Sequence, residues 1–179
     1  PHHLEFINNK FCHTIHTNVL QGFSTTGFVG GNNLWKQNEF CFTGEHYNLF
    51  GTVPYGPGHN TIYGTANDTV YEHNVFHDLA NGIGVWGSGT NQRNNIIRYN
   101  TFYNIGVEGG DTAYLIGAGS FAAVHVSVPG GGHLIHNNVV YNSGTTGSPK
   151  FRAFRVGTQA TGDLGDFYNN TAYNLDGTG

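Results

Sequence analysis

The chain has 179 residues and a formal net charge of −4, and only 10% of its residues are charged. Glycine (28), asparagine (22) and threonine (18) dominate, which excludes the Ala-, Glu-, Lys- and Leu-rich make-up of a coiled coil or helical bundle. Seven basic residues leave no electrostatic footprint for nucleic acid, and no run of roughly 18 apolar residues is present to span a membrane.

One short pattern recurs six times along the chain: apolar or aromatic residues, polar residues, an Asn, and an apolar residue two places on. The first copy, Phe6-Ile7-Asn8-Asn9-Lys10-Phe11, is followed by a strand-like Gly27-Phe28-Val29-Gly30. The second, Trp35-Lys36-Gln37-Asn38-Glu39-Phe40, precedes a long excursion from Gly44 to His59 and the short piece Ile62-Tyr63. After the third, Tyr71-Glu72-His73-Asn74-Val75-Phe76, almost nothing separates Leu79 from Gly82, where Ile83-Gly84-Val85-Trp86 begins. The fourth, Ile97-Arg98-Tyr99-Asn100-Thr101-Phe102, leads into a second excursion, Gly106 to Ser120, and then Ala123-Val124-His125-Val126. The fifth is Ile135-His136-Asn137-Asn138-Val139-Val140, with Gly144 to Lys150 and Phe154-Arg155-Val156 behind it. The sixth is Phe167-Tyr168-Asn169-Asn170-Thr171-Ala172.

The anchoring Asn residues 9, 38, 74, 100, 138 and 170 are spaced by 29, 36, 26, 38 and 32 residues. A short motif with variable spacers predicts a solenoid whose coils stack on their neighbours. Period-two alternation, β-branched and aromatic content and Gly, Asn or Ser at the ends make the motif strand rather than helix. The positions three before and two after each anchor are apolar throughout and predict two inward stacks. The position two before reads Ile7, Lys36, Glu72, Arg98, His136 and Tyr168 and predicts an outward row of alternating sign. Three after the anchor come Cys12, Cys41, His77, Tyr103, Tyr141 and Tyr173, a second outward row ending in a tyrosine ladder. Anchor amides about 4.8 Å apart can bond along the axis, and Asn suits a left-handed corner.

Several short strands per coil, Gly-rich corners and an Asn at a fixed corner resemble the right-handed parallel β-helix of the pectate-lyase-like superfamily. The resemblance runs from about Leu4 to Leu175. It implies an all-β, right-handed parallel β-helix of about six coils, nearly without helix, forming one domain over residues 1–179. Methionine is absent, and the expectation is a fragment of a longer protein lacking one or both caps. The superfamily's range of activities, from lyases and glycosidases to tailspikes and adhesins, makes the resemblance informative about fold rather than chemistry. The register sets Cys12 beside Cys41, as a bridge or as two free thiols; a bridge fits an exported protein.

In a solenoid, insertions rather than strands carry function. Excursions on the second and fourth coils over a low third coil predict a lateral groove for an extended sugar chain. Its candidate catalytic residues are Asp78, His77, Glu108, Asp111 and Arg98, and its candidate substrate-binding residues are His46, Tyr47, Trp86 and Tyr114. Paired carboxylates serve a glycosidase, whereas a carboxylate or imidazole with Arg98 serves proton abstraction beside a uronate carboxyl. Against this, Asp78 shares the position of Asn104, Asn142 and Asn174 and fits a corner ladder, and Glu72 with Arg98 fits a simple ion pair. The paired-Asp motif of polygalacturonase-like glycosidases, an Asp-Pro-His-Glu run and the Asp cluster of calcium-dependent pectate lyases are missing. No cofactor is expected, and nothing supports calcium. The expected function is thus part of a secreted or cell-surface polysaccharide-active protein, a lyase or glycosidase. The alternative is a non-catalytic adhesin, fibre or tailspike shaft, or carbohydrate-binding module. The expected partners are a glycan and, through end-to-end or side contacts, further copies of the chain.

Overall fold

Each copy of the Asn motif folds as two short strands with a sharp corner between them. The computed structural model describes residues 3–14, 19–21, 31–43, 61–64, 66–79, 81–85, 93–106, 122–126, 131–144, 151–156 and 165–176. The first strands of the pairs are β1 (Glu5–Ile7), β4 (Leu34–Lys36), β7 (Val70–Glu72), β10 (Ile96–Arg98), β13 (Leu134–His136) and β16 (Asp166–Tyr168). The second strands are β2 (Lys10–Thr14), β5 (Glu39–Thr43), β8 (Val75–Leu79), β11 (Thr101–Ile105), β14 (Val139–Gly144) and β17 (Thr171–Asp176). A third set comprises β3 (Val19–Gln21), β6 (Ile62–Gly64), β9 (Ile83–Val85), β12 (Ala122–Val126) and β15 (Arg152–Val156).

Each set is one parallel sheet, ordered β1-β4-β7-β10-β13-β16, β2-β5-β8-β11-β14-β17 and β3-β6-β9-β12-β15. No helix occurs among the described residues, and the arrangement is compatible with a parallel β-helix. The strand expected at Gly27–Gly30 lies outside the described residues; the third sheet instead begins at β3.

The pairing keeps like positions level. Trp35 faces Phe6 and Tyr71, Phe76 faces Phe40 and Phe102, and Cys12 faces Cys41. Phe40, Phe76 and Phe102 are fully buried, with successive ring centroids 4.7 Å apart and nearly parallel planes. Ile62, Ile83, Val85, Val124 and Val126 close the same core from the third sheet. Gly82 sits where a Cβ would strike the Ala123 carbonyl and the Phe102 ring, so the chain crosses the core edge there without a side chain.

The anchor amides form one continuous row. Asn9, Asn38, Asn74, Asn100 and Asn138 each donate from Nδ2 to Oδ1 of the next, at 3.0–3.1 Å, and the row ends at Asn170. Each Oδ1 also accepts the preceding anchor's backbone N–H, as Asn74 does from Asn38 at 2.9 Å. The other Nδ2 hydrogen goes to a carbonyl, for example Trp35 O at 2.9 Å. The left-handed residue is the one before each anchor, and not the anchor itself. Asn8, Gln37, His73, Tyr99, Asn137 and Asn169 have φ between 52° and 57°. A second left-handed corner ends the second strands, with φ of 51°, 53°, 52°, 47° and 50° at Phe42, Asp78, Asn104, Asn142 and Asn174.

Candidate functional site

The outward face of the second sheet gathers most of the chemistry among the described residues. Alternation along β5 puts Glu39 and Cys41 on the side opposite the core-facing Phe40, where Cys41 is covered to 1% exposure. On β2, Lys10 lies level with Glu39 and Cys12 with Cys41; on β8, His77 lies level with Cys41. Cys12 and Cys41 are joined in a disulfide with a Cα–Cα distance of 4.5 Å. Of the two expected states of this pair, the bridge is the one present.

His77 sits between two carboxylates. Its Nδ1 is 2.6 Å from Asp78 Oδ2, and its Nε2 is 3.1 Å from Glu39 Oε1. A ring protonated on both nitrogens donates to both carboxylates, whereas a neutral ring donates to one of them. Lys10 Nζ reaches the same Glu39 oxygen at 2.8 Å. Hydrogen bonds from Lys10 and then His77 hold the Glu39 carboxyl below the usual glutamate value. Asp78 Oδ1 accepts from Asn104 Nδ2 at 3.0 Å, so the corner ladder expected from the sequence is formed.

The Tyr103 ring stacks on His77 with centroids 4.8 Å apart and planes 2° from parallel. Tyr141 and Tyr173 continue the row at 5.3 Å steps. Because each ring covers its neighbour's face, the row presents edges and hydroxyls to solvent rather than faces. Burial, followed by the negative charge of Asp78, raises the Tyr103 phenol, which therefore keeps its proton. Gln37, Glu39, His73, His77 and Tyr103 line a shallow depression of about 350 Å³ beside this row.

Of the expected catalytic residues, His77 and Asp78 are brought together and Arg98 is elsewhere. Arg98 lies on β10 in the first sheet, with Nη2 2.6 Å from Glu72 Oε2, while Lys36 Nζ holds Glu72 Oε1 at 2.9 Å. Burial works against ionisation of Glu72, yet these two cations bring its carboxyl below the usual value. Glu108, Asp111, His46, Tyr47, Trp86 and Tyr114, and with them the groove walls, lie outside the described residues. Sequence reasoning passed over Glu39, although alternation back from Cys41 puts it on the same face. It also passed over His73, which shares its left-handed corner position with chemically unrelated side chains.

One group of potential metal donors occurs among the described residues: Cys12, Glu39 and Cys41, whose ligand atoms lie within 4.8 Å of one another. Searches against protein families, curated proteins and solved structures each return no match for the chain.

Proposed function

We propose that the chain is a right-handed parallel β-helix of six coils, resembling the pectate-lyase-like superfamily, that acts on an extended uronate-containing polysaccharide outside the cell. Two sheets of six strands, each strand three elements after its sheet neighbour, support the coil number. Parallel crossovers are right-handed in nearly all known cases, which supports the hand. The bridged Cys12–Cys41 pair supports an exported protein.

The observation that carries the activity is the His77 imidazole, held by Asp78 at Nδ1 and by Glu39 at Nε2 on the wall of the depression beside Tyr103. Asp78 fixes the ring and favours the proton at Nδ1, leaving Nε2 as base once Glu39 yields to substrate. Nε2 removes the proton beside the uronate carboxyl. The electron pair of that C–H bond forms the new ring double bond, and the glycosidic C–O bond on the adjacent carbon breaks. The Tyr103 hydroxyl, kept protonated by its surroundings, supplies the proton to the departing oxygen. The hydroxyl edges of Tyr103, Tyr141 and Tyr173 give hydrogen bonds along the sugar chain.

Incubation with a panel of uronate and neutral polysaccharides tests this. Absorbance from unsaturated product, lost in His77→Ala and Asp78→Asn, is expected with a uronate polymer. Reducing ends without that absorbance indicate hydrolysis instead.

A non-catalytic, glycan-binding β-helix is favoured by a different observation. Asp78 has the φ of its ladder neighbours and spends one oxygen on Asn104, as a corner residue would. Retarded migration of the protein in polysaccharide-loaded gels, with no product of either kind, would establish that role.

A further inference from the structure

The outward row that holds the disulfide has the donors of a tetrahedral metal centre once the bridge is opened. Cys12 Sγ, Cys41 Sγ and a Glu39 oxygen lie within 4.8 Å of one another, and His77 Nε2 is 3.1 Å from Glu39 Oε1. Glu39 and Cys41 rise from the same face of β5, Cys12 approaches from β2 on one side, and His77 approaches from β8 on the other. A cation above β5 is therefore within reach of Cys12, Cys41 and Glu39. His77, which lies outside that close group but 3.1 Å from Glu39 Oε1, completes the set once its ring shifts toward the sulfurs.

The surroundings of this row match those of a metal-bound imidazole. A ligating histidine needs its second ring nitrogen tied to an oxygen acceptor, which sets the tautomer and aims the free lone pair at the metal. His77 has that partner in Asp78 Oδ2, 2.6 Å from Nδ1. Lys10, 2.8 Å from Glu39, offsets part of the negative charge that two thiolates and a carboxylate bring to a divalent ion. Tyr103 packs against the ring and restricts its rotation. Two sulfurs, one nitrogen and one oxygen suit zinc over calcium or magnesium.

We propose that reduction of the Cys12–Cys41 bridge converts this row into a zinc site ligated by Cys12, Cys41, His77 and Glu39, with Asp78 positioning His77. An external dithiol or phosphine supplies the two electrons. The S–S bond breaks and two thiols form: a dithiol gives up its two hydrogens as it closes to a disulfide, whereas a phosphine becomes its oxide and water supplies the two protons and the oxygen. Zinc then displaces both thiol protons to solvent as the two Zn–S bonds form. The proposal does not rest on the polysaccharide activity, and its readouts are independent of that activity.

The test uses Co²⁺ as a spectroscopic stand-in for Zn²⁺. Protein reduced with a water-soluble phosphine, then freed of reductant under inert gas, is titrated with Co²⁺. The expected result is thiolate-to-cobalt absorption and tetrahedral d–d bands saturating at one ion per chain, both abolished by Zn²⁺ and absent from oxidised protein. Cys12→Ser should halve the thiolate absorption. Glu39→Gln and His77→Ala should each weaken Co²⁺ binding at least tenfold. Asp78→Asn should weaken it about ten- to a hundredfold without moving the bands. Absence of bands in the reduced protein overturns the assignment, as does binding unchanged in both His77→Ala and Glu39→Gln. Far-UV circular dichroism covers loss of fold on reduction. A β spectrum regained on adding Zn²⁺ supports the site, because metal binding then drives folding, and failure to regain it overturns the site.

Discussion

Asn74 shows what one side chain contributes to this fold. Its Oδ1 accepts from Asn38 N and Nδ2, and its Nδ2 donates to Trp35 O and Asn100 Oδ1, all at 2.9–3.0 Å in the buried interior. Every hydrogen-bonding valence of the amide is filled, and its partners are beyond the reach of water. Truncation in Asn74→Ala leaves several buried groups unmatched at once, so a loss of about 3–5 kcal/mol is expected from urea denaturation. The same change at the partly exposed Asn170 should cost about 1 kcal/mol, because water replaces what is lost. The sequence made this row legible because only Asn supplies both a donor and an acceptor at a fixed offset. It did not disclose the left-handed residue before it, since Gln37, His73 and Tyr99 share that conformation without sharing any chemistry. There the corner is imposed by its neighbours rather than chosen by the residue.

At the level of strands, the disulfide ties β2 to β5 across a sequence separation of 29. A loop of that size gives about 3.5 kcal/mol by restriction of the unfolded state. The double variant Cys12→Ser/Cys41→Ser should lose roughly that amount, read as a lower urea midpoint with a larger m-value as the unfolded chain expands. Pairing of these strands was legible from alternation alone, which set Cys12 level with Cys41 and Phe76 level with Phe102. The start of the third sheet was not. Val19–Gln21 has no motif beside it, and the Gly-flanked Gly27–Gly30 reads more strongly as a strand. The candidate site was legible in half: His77 and Asp78 stand out by residue type, whereas Glu39 joins them only through a neighbouring strand.

For the whole molecule, the shifted groups fix how stability responds to pH. His125 is pushed down from its ordinary 6.5 to about 4, by burial first and then by the Arg155 charge. His136 is lowered by burial and then Arg98. Both rings are favoured neutral in the folded state, so their contribution is present above 6.5 and is lost as pH falls through the folded values. Glu39 and Glu72 are lowered too, and their contribution is lost further down, below the ordinary 4.5. On the alkaline side, burial raises the Tyr71 phenol above its ordinary 10.0, a contribution lost as pH climbs past that value. Urea midpoints measured from pH 3 to 11 should form a plateau between about 6.5 and 10 with a decline on either side. His125→Gln should flatten the decline between pH 6.5 and 4 and leave the alkaline limb unchanged.

The anchor amides also give the stack a direction. Between anchor side chains, every Nδ2 from Asn9 to Asn138 donates to the Oδ1 of the later coil and none to an earlier Oδ1. The second hydrogen of Asn38, Asn74, Asn100 and Asn138 goes to a main-chain carbonyl of the preceding coil. The small dipoles add head to tail, and a single flipped amide would set donor against donor on one side and oxygen against oxygen on the other. The two faces of the stack are therefore chemically distinct. At the Asn9 face the row offers an oxygen, and at the Asn170 face it offers N–H groups. Anything that extends the row must bring the complementary group to each. A coil added before Asn9 would have to meet it with an N–H donor, and one added after Asn170 would have to meet it with an oxygen.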